Sequence, residues 1–222
     1  MDIIKYPDFH EKYEILYVSL EMKAEVLLAK LLSTYIFETY GVELSYKQML
    51  SKTKNRILSD EEYALILKSR PWMEKLEAIL KVYDKSIDSI KYLKELLELA
   101  NKNGSFEDVG KRKIYHSNNQ DKIILIIVDH MGLVSPQTGK SLKMEMDEIS
   151  KISVQFRNRC NFSFLMIMQA NRESANVERR KLDLVAPQRS DIKDQKLNIN
   201  LFYIGSFKTP LNRGSLTEII LC

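Results

Sequence analysis

Ile123-Ile124-Leu125-Ile126-Ile127-Val128-Asp129 is the stretch on which the fold turns. Six apolar residues, mostly β-branched, run without polar interruption and stop at a carboxylate. A run with no polar alternation reads as a strand buried on both faces, as in the middle of a parallel sheet. In such sheets ligands bind at the carboxyl ends of the strands. Asp129 therefore falls where an α/β protein would hold a metal ion or a phosphate.

Working outward, strands and helices alternate. Tyr13 to Ser19 reads as a first strand. A helix follows, with Ala24, Leu27, Leu28, Leu31, Leu32 and Tyr35 at the spacing of one face. Ser59-Asp60-Glu61-Glu62 has the residue types and spacing of a capping box, and Pro71 breaks or restarts the helix it opens. Ile79 to Tyr83 predicts a second strand. Ser86 then starts a helix with Ile87, Ile90, Leu93 and Leu97 on one face, ending near Asn103-Gly104. Residues 105–122 are polar and mixed in charge, and predict a surface loop. Beyond the central strand, Leu142, Met146, Ile149, Ile152 and Phe156 form another helical stripe, and Phe164 to Met168 a fourth strand. Ile199 to Ile204 and Leu216 to Leu221 are further strand candidates. Strands alternating with helices of this length imply an α/β fold with a mostly parallel sheet and crossover helices.

Composition sets bounds. With 222 residues, 45% of them hydrophobic, the chain suits one α/β domain with a real core. A net charge of +4 permits nucleic-acid binding without arguing for it. Cys160 and Cys222 form no disulfide framework and have no metal-ligand spacing, which makes a reducing intracellular setting the expectation. There is neither a membrane-length apolar run nor an apolar leader at Met1.

Several residues could carry chemistry. Glu21, just past the first strand, could polarise a water for attack on a phosphate, or simply favour the start of a helix. Asp129 could hold magnesium, which needs few carboxylates because it keeps several waters, or cap a loop. Gln169-Ala170-Asn171-Arg172 could sense a terminal phosphate, or be a polar loop. Lys193, within Arg189-Ser190-Asp191-Ile192-Lys193-Asp194, could touch a nucleic-acid backbone, or be solvated. Lys208 and Arg213 could reach a neighbour's phosphates in an oligomer, although surface cations seldom do anything so specific. His10, His116 and His130 are scattered and make no zinc site. Thr138-Gly139-Lys140-Ser141 looks like the end of a phosphate loop, but that motif needs glycine at position 134, which is Val134. It reads instead as the loop after Asp129.

In order, these segments resemble one family. Leu16-Tyr17-Val18-Ser19-Leu20-Glu21-Met22 is similar to the Ser-Leu-Glu-Met segment of DnaB-like replicative helicases. Ile126-Ile127-Val128-Asp129-His130-Met131-Gly132-Leu133 resembles their Walker B strand, and Met166-Ile167-Met168-Gln169-Ala170-Asn171-Arg172 their Ser-Gln-Leu-Asn-Arg motif. Ser190-Asp191-Ile192-Lys193-Asp194 resembles their DNA-facing loop, and the Asp-His pair suggests a bacteriophage member. The resemblance implies a RecA-like ATPase core that forms a hexameric ring around single-stranded DNA, works with other replication proteins, and binds ATP and Mg2+ between subunits. It implies a cytoplasmic location, that of the host for a phage protein, and no membrane. Under it, Glu21 activates water and Asp129 holds magnesium. Gln169 reports the γ-phosphate, and Lys208 and Arg213 act across the ring, although the family's Lys-x-Arg spacing is not kept. The stretch 187–198, with Arg189, Asp191 and Lys193, faces DNA together with Arg172.

The family's phosphate loop precedes the Ser-Leu-Glu-Met strand, whereas Met1 to Lys12 contain neither a glycine nor such a loop. The expectation is a single partial RecA-like domain over 1–222, incomplete at its N-terminal edge and inactive alone. The rival expectation is a helicase paralogue or split subunit that serves as a non-catalytic interaction module.

Overall fold

The computed structural model describes residues 12–50 and 57–168, with the backbone of two strands at 202–207 and 216–221. The residues expected to carry chemistry at Gln169, Arg172, Arg189, Asp191, Lys193, Lys208 and Arg213 lie outside the described residues. The chain divides into two compact units, Met1–Lys85 with Asp121–Leu125, and Ser86–Gln120 with Ile126–Cys222.

The first unit holds β1 (Tyr13–Ser19), α1 (Ala24–Tyr40), α2 (Tyr46–Met49), α3 (Asp60–Lys68), α4 (Arg70–Ile79) and β2 (Leu80–Tyr83). β1 and β2 pair in parallel, with Ile15 opposite Leu80 and Val18 opposite Tyr83. Parallel neighbours need a crossover between them, and the four helices supply it. Leu16 and Val18 alternate inward along β1. Beside them Leu32, Ile36, Leu44, Trp72 and Leu76 form one buried cluster. Trp72 stacks on Tyr35 with ring centroids 4.3 Å apart. Pro71 stands in the first turn of α4, where its missing N–H costs no helical bond. The capping box at Ser59 forms as its spacing predicts. The Ser59 amide donates to Glu62 Oε2 at 2.9 Å, and Glu62 N–H donates back to Ser59 Oγ at 3.2 Å. No residue of α3 is fully buried, so this helix depends on its cap more than a packed one does. Ser59→Ala is expected to cost about 1 kcal/mol, read as a lower urea midpoint followed by far-UV circular dichroism. An unchanged midpoint would contradict it.

The second unit holds α5 (Ser89–Asn103), β3 (Gly104–Val109), β4 (Arg112–Ser117), a 3-10 turn at Met131–Leu133, α6 (Leu142–Cys160) and β6 (Ser163–Met166). The remaining strand, β5 (Ile123–Asp129), is crossed by the division between the units. The sheet runs β2-β1-β5-β6 and is mostly parallel. Just past β6, Ile167 N–H donates to Val128 O at 3.0 Å and Met131 N–H to Ile167 O at 2.9 Å. β7 (Phe202–Phe207) and β8 (Leu216–Leu221) pair antiparallel, the first of them three residues later than its apolar run suggests.

Three expectations need correction. β5 is not buried evenly on both faces. Ile124, Ile126 and Val128 are buried, whereas Ile123 is 44% exposed, so an all-apolar strand still has one inner and one outer side. The inward face of α5 is not the Ile90–Leu97 stripe. Tyr92, Leu96, Leu99 and Ala100 are buried while Ile90 is 66% exposed. α5 carries apolar residues all round, and a polar contact fixes its rotation. The Tyr92 hydroxyl lies 2.8 Å from Ser153 Oγ of α6, which itself donates to Ile149 O. Burial pushes the Tyr92 phenol well above its ordinary pKa. Lastly, 105–122 is not a loop. Most of it forms the β3–β4 hairpin, pairing Phe106 with Tyr115 and Val109 with Arg112. Gly110, at φ 62°, allows the two-residue turn. Gly104 has to be glycine because a Cβ there would overlap the His116 carbonyl and the Tyr115 ring. Buried Cys160 is a free thiol, pushed up to about 11 by burial, and is therefore unreactive near neutrality.

Candidate active site

In the first unit the chain bends as it leaves β1. Ser19 Oγ donates to Met22 O at 2.6 Å, which folds Leu20-Glu21-Met22 back on the strand end and leaves Glu21 exposed. α1 starts two residues later without a cap from its own N-terminal residue Lys23. Its acceptor comes instead from the end of β2, where Asp84 Oδ2 takes the Ala24 N–H at 2.9 Å. That bond holds the Asp84 carboxyl below its ordinary pKa. Residues at the ends of β1 and β2 thus shape the turn that presents Glu21. Asp84 escaped the sequence reading because it acts sixty residues away in the chain. Its signal was a carboxylate directly after a strand, the same signal that flagged Asp129.

In the second unit Asp129 closes β5 and is half-buried. The Asp129–His130 peptide bond is cis. The turn that follows buries Met131. Buried His130 Nδ1 has no hydrogen-bond partner among the described residues. Gly132 lies against the same ring, 3.1 Å from Nδ1 to where a Cβ would stand.

The Thr138-Gly139-Lys140-Ser141 segment has other work than phosphate binding. Lys140 N–H donates to Gln137 O at 3.0 Å, closing a turn in which Gly139 takes φ 83°. Positive φ at the third turn position favours glycine. Ser141 caps α6, accepting the Met144 N–H at 3.2 Å. The Lys140 ammonium donates to Glu148 Oε2 at 2.6 Å. Glu148 also accepts from Ser89 Oγ at 2.8 Å. The Gln137 side chain donates to that same Ser89 Oγ at 3.0 Å. Beneath them lies Glu145, fully buried, which accepts the Ser89 and Gln137 backbone N–H groups. This network joins the loop after Asp129 to the start of α5. Its sequence signal was a glutamate beside Met146 and Ile149 on the inward stripe of α6.

Lys140 holds Glu148 below its ordinary pKa, and Glu148 raises that of Lys140. A carboxylate with a lowered folded pKa adds stability above its unfolded value of about 4.5. That stability is lost as pH falls through the folded value. The urea midpoint is expected to fall on acidification from about pH 5 to pH 3, and to fall less in Glu148→Gln. An equal fall in both proteins would contradict this.

The chemistry of Asp129 fits magnesium, a hard cation that accepts one or two carboxylates and keeps its waters. No cluster of three His, Cys, Asp or Glu suited to a metal occurs among the described residues. Lys140, committed to Glu148, does not fit a phosphate ligand. Among the described residues no helix is long and apolar enough to cross a membrane.

No family model matches the chain, and no curated protein matches it by sequence. Its structure is similar to a solved one described as "The Structure Of A DnaB-Like Replicative Helicase And Its Interactions With Primase". The TM-score is 0.59 at 12% identity, covering 87% of this chain and 41% of that one. This chain therefore spans less than half the length of that protein. At this identity the likeness is one of fold, and this chain has the α/β architecture found in a DnaB-like replicative helicase.

Proposed function

We propose that this chain is part of the RecA-like motor of an ATP-dependent replicative DNA helicase that translocates on single-stranded DNA and separates duplex. The observation that carries the reading is that two carboxylates stand at the carboxyl ends of their own strands, Asp129 as the last residue of β5 and Glu21 two residues past β1. Each does so inside a segment that resembles the matching helicase motif. In this reading Glu21 accepts a proton at a side-chain oxygen from the attacking water, which its exposure allows. Asp129 holds the magnesium of MgATP. When bound, that ion neutralises charge on the phosphate oxygens. Gln169 senses the terminal phosphate, and Lys208 and Arg213 act on the nucleotide of the adjacent copy in a hexameric ring. Arg172, Arg189, Asp191 and Lys193 meet the DNA. The setting is the cytoplasm, of a bacterial host for a phage protein, with other replication proteins as partners.

A second reading, a non-catalytic paralogue or split subunit, is favoured by Lys140. The lysine of the phosphate-loop-like segment is bound to Glu148. Both readings expect weak nucleotide binding by this chain alone, because the phosphate cradle supplies most of the grip. Titration of the chain with MgATP, followed by calorimetry, tests this. A Kd of about 1 μM or tighter, some 8 kcal/mol of binding, would contradict it. Asp129→Ala then separates the readings, being silent in a module and harmful in the complemented motor.

A further inference from the structure

We propose that the tip of the β3–β4 hairpin is a contact for the nucleic-acid phosphate backbone, separate from the stretch at 187–198. Lys111, Arg112 and Lys113 are consecutive and exposed at the turn. Nearby acids are already engaged. Asp108 lies 3.9 Å from Lys113, and Glu107 lies 2.8 Å from His116. Lys111 and Arg112 have no ion-pair or hydrogen-bond partner among the described residues, and both are exposed. They are two cations with no paired carboxylate on an exposed turn, and the hairpin 104–117 carries three cations against two carboxylates.

The turn is held firmly from below. Phe106 and Tyr115 meet with centroids 5.1 Å apart, and Tyr115 stands edge-on to Phe162 at 6.3 Å. The Tyr115 hydroxyl donates to Ala100 O at 3.1 Å, and Asn118 N–H to Asn103 O at 2.9 Å. The anchored strand face carries the aromatics and the other carries Val109, Arg112 and Ile114. A cation on a rigid base loses less freedom on binding than one on a flexible tail. In chain order the hairpin precedes the amino end of β5, whereas Asp129 closes its carboxyl end.

The exposed apolar area is too small for a stable protein partner. Val109 and Ile114 are 48% and 44% exposed. Two half-exposed aliphatic side chains fall far short of the about 800 Å² per partner of a stable protein interface. Phosphate contacts gain their free energy from released counterions and need no such area. No Phe, Tyr or Trp ring faces outward on the hairpin to stack a base, and the contact is to the backbone. The inference rests on the helicase reading only for the class of partner.

The test is fluorescence anisotropy of a labelled oligothymidylate with the full chain, across a salt titration. Each single-strand phosphate contact contributes a slope of about 0.7 in log K against log salt, about fivefold in affinity at 0.1 M. K111A/R112A is therefore expected to lower the slope by about 1.4 and to weaken binding about 25-fold at 0.1 M salt. Both side chains are exposed, so the variant keeps its thermal melt, and a melt at the wild-type temperature establishes that folding is intact. An unchanged slope, or a wild-type chain that does not bind the oligonucleotide, overturns the proposal. Hairpin-dependent binding of polyglutamate without binding of oligothymidylate also overturns it, and assigns the surface to acidic proteins. Lys193→Ala in parallel separates the two accounts. If Lys193→Ala lowers the slope and the hairpin variant does not, this inference fails and the helicase reading stands.

Discussion

Glu145→Ala is expected to lower the stability of the second unit by about 2–4 kcal/mol, the loss for two backbone donors deprived of their acceptor. Glu145 is fully buried, and its two carboxylate oxygens take the backbone N–H groups of Ser89 and Gln137. Ser89 is the first residue of α5, where the helix dipole favours a negative charge. Truncation takes the acceptor from the buried Ser89 N–H and from the partly buried Gln137 N–H, at about 1–3 kcal/mol for each that water does not reach. It also loosens the loop between Asp129 and α6. Glu145→Gln keeps the volume and one acceptor, and is expected to cost about half as much. Urea unfolding followed by far-UV circular dichroism measures both. A loss below about 1 kcal/mol for the alanine variant would mean that water replaces the carboxylate, and the network would not be holding the loop.

The other large effect concerns chemistry. In the protein that carries this chain together with a phosphate loop, Glu21→Gln is expected to slow ATP hydrolysis by about 10²–10⁴-fold, the usual contribution of a positioned base. Glutamine matches glutamate in size but does not accept the water's proton. Glu21 is exposed at the bend after β1, so the substitution leaves the fold untouched. MgATP affinity is then expected to hold while turnover falls. Loss of affinity in proportion to turnover would assign Glu21 to nucleotide binding instead. Unchanged turnover would remove it from the site.

Much of the architecture was legible because local signals and tertiary packing agree. The strand at β5, the helices α1 and α6, the Ser59 box and the restart at Pro71 all form where their residues suggest, although β5 buries only one of its faces fully. The orientation of α5 was not legible. Its apolar residues surround the helix, and the choice of face falls to the Tyr92–Ser153 contact, which joins residues far apart in the chain. The β3–β4 hairpin was hidden by its charged strands, since an exposed two-stranded hairpin needs few apolar positions and its turn is set by Gly110. For the candidate site, the sequence singles out Glu21 and Asp129 by their place at strand ends, and the structure puts each at the end of its own strand. Asp84 and Glu145 could not be assigned roles because each acts on a backbone N–H of a distant segment. Thr138-Gly139-Lys140-Ser141 lacks the glycine that a phosphate loop needs at position 134, and its Lys140 pairs with Glu148.

The claim that this chain belongs to an ATP-driven motor is tested most directly by reading the coding DNA upstream of the Met1 codon over about a hundred codons, the reach of a strand, loop, helix and linker. The account predicts a glycine-rich loop ending in Gly-Lys-Ser or Gly-Lys-Thr, followed by a helical stretch. An upstream sequence in which no frame encodes such a loop would contradict the motor reading and leave the non-catalytic module in its place.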